Sequence, residues 1–288
     1  MLAFVASMPS PSSSSLHLGP LRVTAYGLMI GLGVAAAVWL AGRRAEERRV
    51  ASKDDIAAVG MWAVAGGLIG ARLYHVVTDW HRFTSDYWAI PAVWRGGLGI
   101  PGGLAGGVVV GLLAARRRGI DARVMLDVAA PAVALAQAIG RWGNWWNQEL
   151  FGRPTSLPWA LQIDDSHLPV GYAPGTTFHP TFLYESMWSL ALCGVLLLID
   201  HRLSLRPGRL FVLYLGGYFL GRFWIEGLRI DPAPHVAGLR WNQWLSLAVL
   251  VGVVAFLVVD RARSASARSD VQIDLDDVVA GSQQSEVS

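Results

Sequence analysis

Seven apolar stretches, each long enough to cross a bilayer, constrain this chain more than any other feature. They run approximately over residues 23–42, 56–77, 98–115, 124–142, 180–199, 210–228 and 243–259. A spanning helix needs roughly 17–25 mostly apolar residues, and lipid satisfies no backbone polar group, so such stretches must close their hydrogen bonds within themselves. Composition agrees: charged residues make up 16% of the 288, against about a quarter in a soluble domain, and the mean hydropathy is +0.40. The third and fourth stretches are the weakest, because Gly and Pro interrupt one and Asp127 and Gln137 the other. The fold class expected is an all-α membrane protein with about seven transmembrane helices.

Loop charge sets the orientation. Arg43, Arg44, Arg48, Arg49 and Lys53 follow the first stretch, Arg116, Arg117, Arg118 and Arg123 the third, Arg202, Arg206 and Arg209 the fifth, and Arg261, Arg263 and Arg268 the seventh. The alternate loops hold Arg82 and Arg95, or the dispersed Arg141, Arg153, Arg229 and Arg240. The positive-inside rule puts the basic set in the cytoplasm. The N-terminus is then outside and the C-terminus inside, as an odd helix count requires. Most of the thirteen tryptophans lie near segment ends, where interfacial anchors belong.

Three regions complete the organisation. Residues 1–21 are rich in Ser and Pro without Lys or Arg, lack the basic start of a secretory signal, and read as a retained, disordered tail. Residues 22–260 form the membrane domain, within which 144–179 make a small extracytoplasmic head segment. Residues 261–288 read as a disordered cytoplasmic tail. Glycines recur at small-xxx-small spacing, Gly27/Gly31, Gly66/Gly70, Gly103/Gly107 and Gly217/Gly221, a pattern that lets helices approach closely in lipid. The halves show no internal repeat, which weakens a transporter reading.

On this topology the costly residues fall at one side. Tyr26 starts the first helix there, Arg72 and His75 end the second, and Arg141 and Asn144 close the fourth. His179, Tyr184 and Glu185 open the fifth, Arg222 and Glu226 lie in the outer half of the sixth, and Asn242 and Gln243 begin the seventh. Ionisable residues within spans face a cavity or a partner, so six helices delivering them to one leaflet point to one polar site; separate snorkelling of each residue is the alternative. Arg141, Asn144 and Asn147 recur at every third position and share a face if the helix continues. Arg222 and Glu226, four apart, are neighbours on one turn, either as a structural ion pair or as part of a site. Two arginines near the outer interface suit an anionic phosphate, which guanidinium binds with a planar fork.

These residues carry a resemblance. Gly140-Arg141-Trp142-Gly143-Asn144-Trp145-Trp146-Asn147-Gln148-Glu149-Leu150-Phe151-Gly152 resembles the signature G-R-x-G-N-F-x-N-x-E-x-x-G of the prolipoprotein diacylglyceryl transferase family, with Trp in the Phe position. His179-Pro180-Thr181-Phe182-Leu183-Tyr184-Glu185 is similar to its H-P-[ST]-x-L-Y-E, and Gly221-Arg222-Phe223-Trp224-Ile225-Glu226 to its G-R-F-x-x-E. Weaker matches begin at Tyr26, Gly70 and Asn242, and the whole runs in order from about Arg22 to Asp260.

The resemblance implies a multi-pass protein of the bacterial plasma membrane. It acts on phosphatidylglycerol as membrane lipid and on preprolipoproteins with a lipobox cysteine. The cysteine thiol attacks a glyceryl carbon, glycerol 1-phosphate leaves, and a thioether-linked diacylglycerol remains. No cofactor, metal or nucleic acid is implied. Arg141 and Arg222 are the expected phosphate clamp, while Glu149, Glu226 and His179 are the candidate bases; a helix-capping or interface role is the alternative for His179. Tyr26, Arg72, Asn144 and Asn147 are expected to bind substrate, together with Gly152, Tyr184 and Gln243. One departure stands out: many members have H-G-G at the start of the third helix, where this chain has Pro101-Gly102-Gly103. Proline accepts no proton, so that role has moved or was never the base's. The competing class is a channel or carrier for an anionic solute using the same arginines. H-E-x-x-H and G-x-S-x-G motifs are absent from the sequence, and Cys193, the lone cysteine, lies in an apolar run where packing is its expected role.

Overall fold

The computed structural model describes the backbone of residues 7–18, 21–84, 86–93 and 96–285, and their side chains except at 16–18, 21–22 and 264–285. Arg95, residues 1–6 and 286–288, and the Arg268 side chain lie outside the described residues. Seven long helices stand among those described: α1 Ala25–Glu47, α2 Lys53–Thr78, α3 Ile100–Arg117, α4 Ala122–Gly140, α6 Thr181–Arg202, α7 Arg209–Glu226 and α8 Trp241–Ser285; a short α5, Trp142–Asn147, follows α4. The protein is an all-α, multi-pass membrane protein. Five helices are long and apolar enough to cross a membrane alone. The other two are glycine-rich α3 and α7, which carries Arg222 and Glu226.

Local chemistry starts the helices where the sequence allows. Thr24 caps α1 by accepting from the Gly27 amide at 3.1 Å. Ser52 and Asp55 form a capping box on α2, which satisfies two otherwise orphaned donors. Asp121 caps α4 through the Arg123 and Val124 amides. Asp127, the residue that weakened the fourth span, is 4% exposed. Its carboxylate accepts the Gly208 and Phe211 amides at 2.7 and 2.9 Å, so it caps the start of α7 from a neighbouring helix.

The glycine spacing acts mainly between α2 and α3. A Cβ on Gly70 would lie 2.3 Å from the Gly102 carbonyl oxygen, and one on Gly106 would lie 2.3 Å from that of Gly66. The tight register is therefore Gly66 and Gly70 against Gly102 and Gly106, one residue from the expected Gly103/Gly107 pair. Gly217 and Gly221 instead make room for the Leu192 and Trp188 side chains of α6. Gly31 meets nothing within 4 Å and Gly27 meets only the Thr24 hydroxyl that caps its own helix, at 3.0 Å, so the first pair serves no contact between helices.

At the arginine-rich end Arg44, 3% exposed, donates to the Asp127 carbonyl at 2.8 Å, to the Val128 carbonyl, and to Asp200 at 2.7 Å. Arg48 joins Asp200 as well. This tie among α1, α4 and α6 stands over an apolar core in which Val128, Ala130, Leu196 and Leu210 are fully enclosed. Cys193 is buried there, as packing predicts.

At the opposite end sits the head. Strands β3, Leu161–Gln162, and β4, Thr177–Phe178, pair antiparallel over a second core of Phe151, Leu161, Ile163, Phe178 and Phe182. Part of the N-terminal segment, expected as a tail, pairs with the head. The Met8 amide donates to the Ala160 carbonyl at 2.8 Å, and the Met8 carbonyl accepts from the Gln162 amide at 2.9 Å. Trp145 Nε1 reaches the Pro9 carbonyl and Gln148 Nε2 that of Pro11, and the Met8 side chain packs on the head core. Residues Ser15–Leu18 (β1) then pair with Leu21–Thr24 (β2) as a hairpin leading into α1. Buried backbone pairing and an apolar anchor order this Ser- and Pro-rich stretch, which composition alone reads as loose. At the other terminus α8 continues as helix to Ser285, through the stretch expected as a tail. Strands β5, His235–Val236, and β6, Leu239–Arg240, form the small hairpin between α7 and α8.

Candidate functional site

The signature residues meet at the head end of the bundle, where α4 gives way to α5. Arg141 is the joint between these helices, with helical backbone angles. Its guanidinium touches Glu185 in the first turns of α6. The other oxygen of Glu185 accepts from Arg222 Nη1 at 3.2 Å, and Arg222 Nη2 lies 2.7 Å from Glu226. One carboxylate therefore joins the two arginines expected to clamp phosphate, and Glu226 continues the string. Arg240 Nε lies 2.9 Å from Glu226, Asn242 Nδ2 donates to it at 3.1 Å, and Arg229 approaches to 3.8 Å. Asp231 closes the far end, 2.7 Å from Arg229 and 2.9 Å from Arg240.

Burial makes this network expensive to break. Glu226 is 1% exposed, Arg240 5% and Glu185 8%. Buried charges persist only when paired and hydrogen-bonded, and alternation of sign along the string meets that condition. Asp231 lies outside the helices. Burial tends to raise its carboxyl, but the Arg229 hydrogen bond and the charges of Arg229 and Arg240 outweigh it and hold it below the usual carboxylate range.

Asn144 and Asn147 take a different partner from Arg141. Both donate side-chain amides to Glu149 Oε1, at 2.8 and 3.2 Å. The shared face expected of positions 141, 144 and 147 thus divides, because the chain leaves the helix at Gln148. Gln148 and Leu150 have φ of +51° and +60°, a conformation uncommon for non-glycine residues. Two such residues flank Glu149, and backbone strain of this kind persists where the surroundings over-determine it. Gln148 is fixed by Asp164, whose carboxylate and amide both meet its side chain, and the Leu150 carbonyl accepts from Thr181.

A third cluster flanks the head. Trp159 Nε1 donates to the Tyr184 hydroxyl at 3.0 Å, and that hydroxyl lies 3.0 Å from His179 Nδ1. Burial, and then the charge of Arg153, lower the His179 imidazole below its ordinary value, so it is neutral near pH 7. Gly152 lies directly beneath: its amide donates to the His179 carbonyl at 2.9 Å, and a Cβ there would fall 2.8 Å from that of His179. Gly152 therefore seats the His179 segment through close backbone approach.

Tyr26 packs its ring on Gly143, where a Cβ would lie 2.6 Å away, beside the Arg141 joint. Gln243 accepts from the Arg240 amide and donates to the Phe223 carbonyl, both at 3.1 Å, which makes it a brace between α7 and α8. Arg72 is not brought to the cluster. Its donors go to the carbonyls of Ala89, Ile90, Gly96 and Gly97 at 2.6–3.1 Å, and Phe83 lies under the guanidinium. It holds the loop between α2 and α3. Sequence reasoning passed over Arg229 and Arg240, which read as dispersed loop charges, and did not single out Asp231. The signal lay in their spacing from Glu226 once the β5–β6 hairpin folds them back.

Fold and site together define a polytopic α-helical membrane protein with a buried arginine–carboxylate centre at one membrane end. The model of the prolipoprotein diacylglyceryl transferase family matches residues 13–259. The chain is 50% identical to a phosphatidylglycerol–prolipoprotein diacylglyceryl transferase of Frankia alni, over 89% of this chain and 68% of that one. It is 48% identical to the second such transferase of Streptomyces coelicolor, over 90% and 82%, and 47% identical to that of Cutibacterium acnes, over 89% and 88%. The chain belongs to the prolipoprotein diacylglyceryl transferase family.

Proposed function

We propose that this chain transfers the diacylglyceryl group of phosphatidylglycerol to the lipobox cysteine of a preprolipoprotein at the outer face of the bacterial plasma membrane. A thioether forms and glycerol 1-phosphate leaves. The observation that carries this reading is the pair Arg141 and Arg222, brought together on Glu185 in the family's own motifs. Substitution at a glyceryl carbon needs the departing phosphate stabilised, and two guanidiniums held side by side before the substrate arrives supply the charge and the donors for it. The thiol must also ionise, because thiolate is the nucleophile. Nearby guanidinium charge favours the ionised thiol.

Orientation follows from charge. The arginine-rich loops, from Arg43 to Lys53 and from Arg116 to Arg123, cluster at the end away from the head. The positive-inside rule then leaves head and site outside, where exported precursors arrive. The expected clamp is Arg141 and Arg222. Tyr26, Asn144 and Asn147 are the proposed substrate contacts beside it, and His179 with Tyr184 stands at the head margin.

The test is direct. Purified protein in phosphatidylglycerol-containing nanodiscs, given a lipobox peptide, should release glycerol 1-phosphate and lipidate the peptide without an ion gradient. Gradient-dependent anion flux with no peptide modification would instead support a carrier. A phosphatase-type reporter after Thr155 should be active outside the cell and one after Arg117 inactive; the reverse pattern would place the site on the wrong face.

A further inference from the structure

Glu185 differs from the other carboxylates of the buried string. Glu226 touches Arg222, Arg240, Asn242 and, at longer range, Arg229. Asp231 is held by Arg229 and Arg240. Glu149 sits between two asparagine amides. Glu185 is in ion contact with Arg141 and Arg222, one on each oxygen, and feels the charge of Arg229 only at longer range. The string contains four guanidiniums, Arg141, Arg222, Arg229 and Arg240, against three carboxylates, Glu185, Glu226 and Asp231. It is short of one negative charge, and a phosphodiester carries one.

A lipid phosphate that engages both clamp arginines must compete with Glu185 for their donors. Glu226 would keep Arg240 and Asn242 through that exchange, whereas Glu185 would keep no cation in contact, only the more distant charge of Arg229. A buried carboxylate without a cation partner gains by taking a proton. We propose that Glu185 is the resident counter-anion of the two-arginine clamp and, once a lipid phosphate displaces it, the acceptor of the thiol proton. The proposal rests on the transferase reading and assigns the base that the departure at Pro101 leaves open. Glu185 takes the S–H proton, and sulfur forms its bond to the glyceryl carbon. The bond from that carbon to the phosphate ester oxygen breaks, and its electron pair departs on glycerol 1-phosphate beneath Arg141 and Arg222. As the product leaves it carries the proton away, and the carboxylate returns to its arginines.

A selenocysteine peptide separates this role from simple spacing of the arginines, because a selenol is already ionised near neutrality and needs no base. The native chain and Glu185→Gln, each checked for folded yield, are compared in phosphatidylglycerol nanodiscs on cysteine and selenocysteine lipobox peptides. The expected result is a fall of roughly 10²-fold or more with the cysteine peptide and of less than about tenfold with the selenocysteine peptide. Glu185→Ala with added acetate provides a second arm, and acetate should raise cysteine turnover only. Equal losses on both peptides, or cysteine turnover within about threefold of native, would overturn the assignment. A native chain silent on both peptides would sink the transferase reading and this assignment with it, an outcome distinguishable from the others by the native control alone.

Discussion

Replacing Glu226 by glutamine tests whether the buried string is held by its charges. The carboxylate faces donors on every side: Arg222 at 2.7 Å, Arg240 at 2.9 Å and Asn242 at 3.1 Å, with Arg229 at 3.8 Å. Glutamine keeps one acceptor oxygen but turns an NH2 group onto a guanidinium. It also leaves Arg222 with Glu185, and Arg229 and Arg240 with Asp231, as their paired anions. Breaking a buried pair from one side costs about 3–5 kcal/mol, and the retained oxygen places glutamine near the lower figure, about 3 kcal/mol. For a chain of this size that is a fall in melting temperature of roughly 6–12 °C. Thermal unfolding in lipid–detergent micelles, followed by tryptophan fluorescence, measures it. Glu226→Gln combined with Arg240→Gln should be less destabilised than the sum of the singles by at least about 1 kcal/mol, because removing both partners leaves less charge stranded. A single variant that loses less than about 1 kcal/mol, with additive doubles, would refute the network as a determinant of stability.

The tight glycine seam predicts that Gly70→Val lowers stability by about 1–3 kcal/mol through overpacking, since its Cβ would meet the Gly102 carbonyl at 2.3 Å. Gly31→Ala, with open space around it, should leave the melting temperature unchanged or raised. Deleting residues 1–12 removes the Met8 bridge to β3 and the acceptors of Trp145 and Gln148; limited proteolysis should then cut residues 144–179 faster than in the full chain, and equal rates would show the segment to be dispensable. For His179, the lowered imidazole means that the unfolded chain binds this proton more readily than the folded one. Its contribution to stability is therefore complete above about pH 6.5 and diminishes as the pH falls below that. The native melting temperature should drop more than that of His179→Gln between about pH 7.5 and 5.5, and parallel curves would dismiss the effect.

Much of this architecture was legible because lipid imposes simple rules. Apolar length locates α1, α2, α6 and the start of α8, and the costly residues at one end of the spans locate the site. What stayed hidden depended on contacts between distant segments. Asp127 looked like a defect in a span until α7 began against it, 81 residues on. Arg72 carries the charge a phosphate wants, yet the returning loop places four carbonyls around it, and no local pattern foretells that. Residues 8–11 have the composition of a loose tail, but the exposed edge of β3 and a nearby apolar core give them a partner. Asn144 and Asn147 were read onto the face of Arg141 because helix periodicity was carried past Gln148, where the left-handed turn diverts them to Glu149.

The proline at position 101 now has a structural account. It lies in the first turn of α3, after Gly99 at the N-cap, where a missing amide removes no intrahelical bond. The following Gly102 presses its carbonyl against Gly70, so this end of α3 is shaped by backbone contact with α2. Every member of the arginine–carboxylate string comes from elsewhere: the α4–α5 joint, α6, α7, and the segment from Arg229 to Asn242 at the start of α8. Among the described residues, the ion pairs of the string therefore involve no residue of α3. The candidate proton acceptors for the thiol are then the carboxylates of the string, Glu149 beside it, and the His179 margin. Within the string, Glu185 is the carboxylate whose partners are the two groups a phosphate would claim.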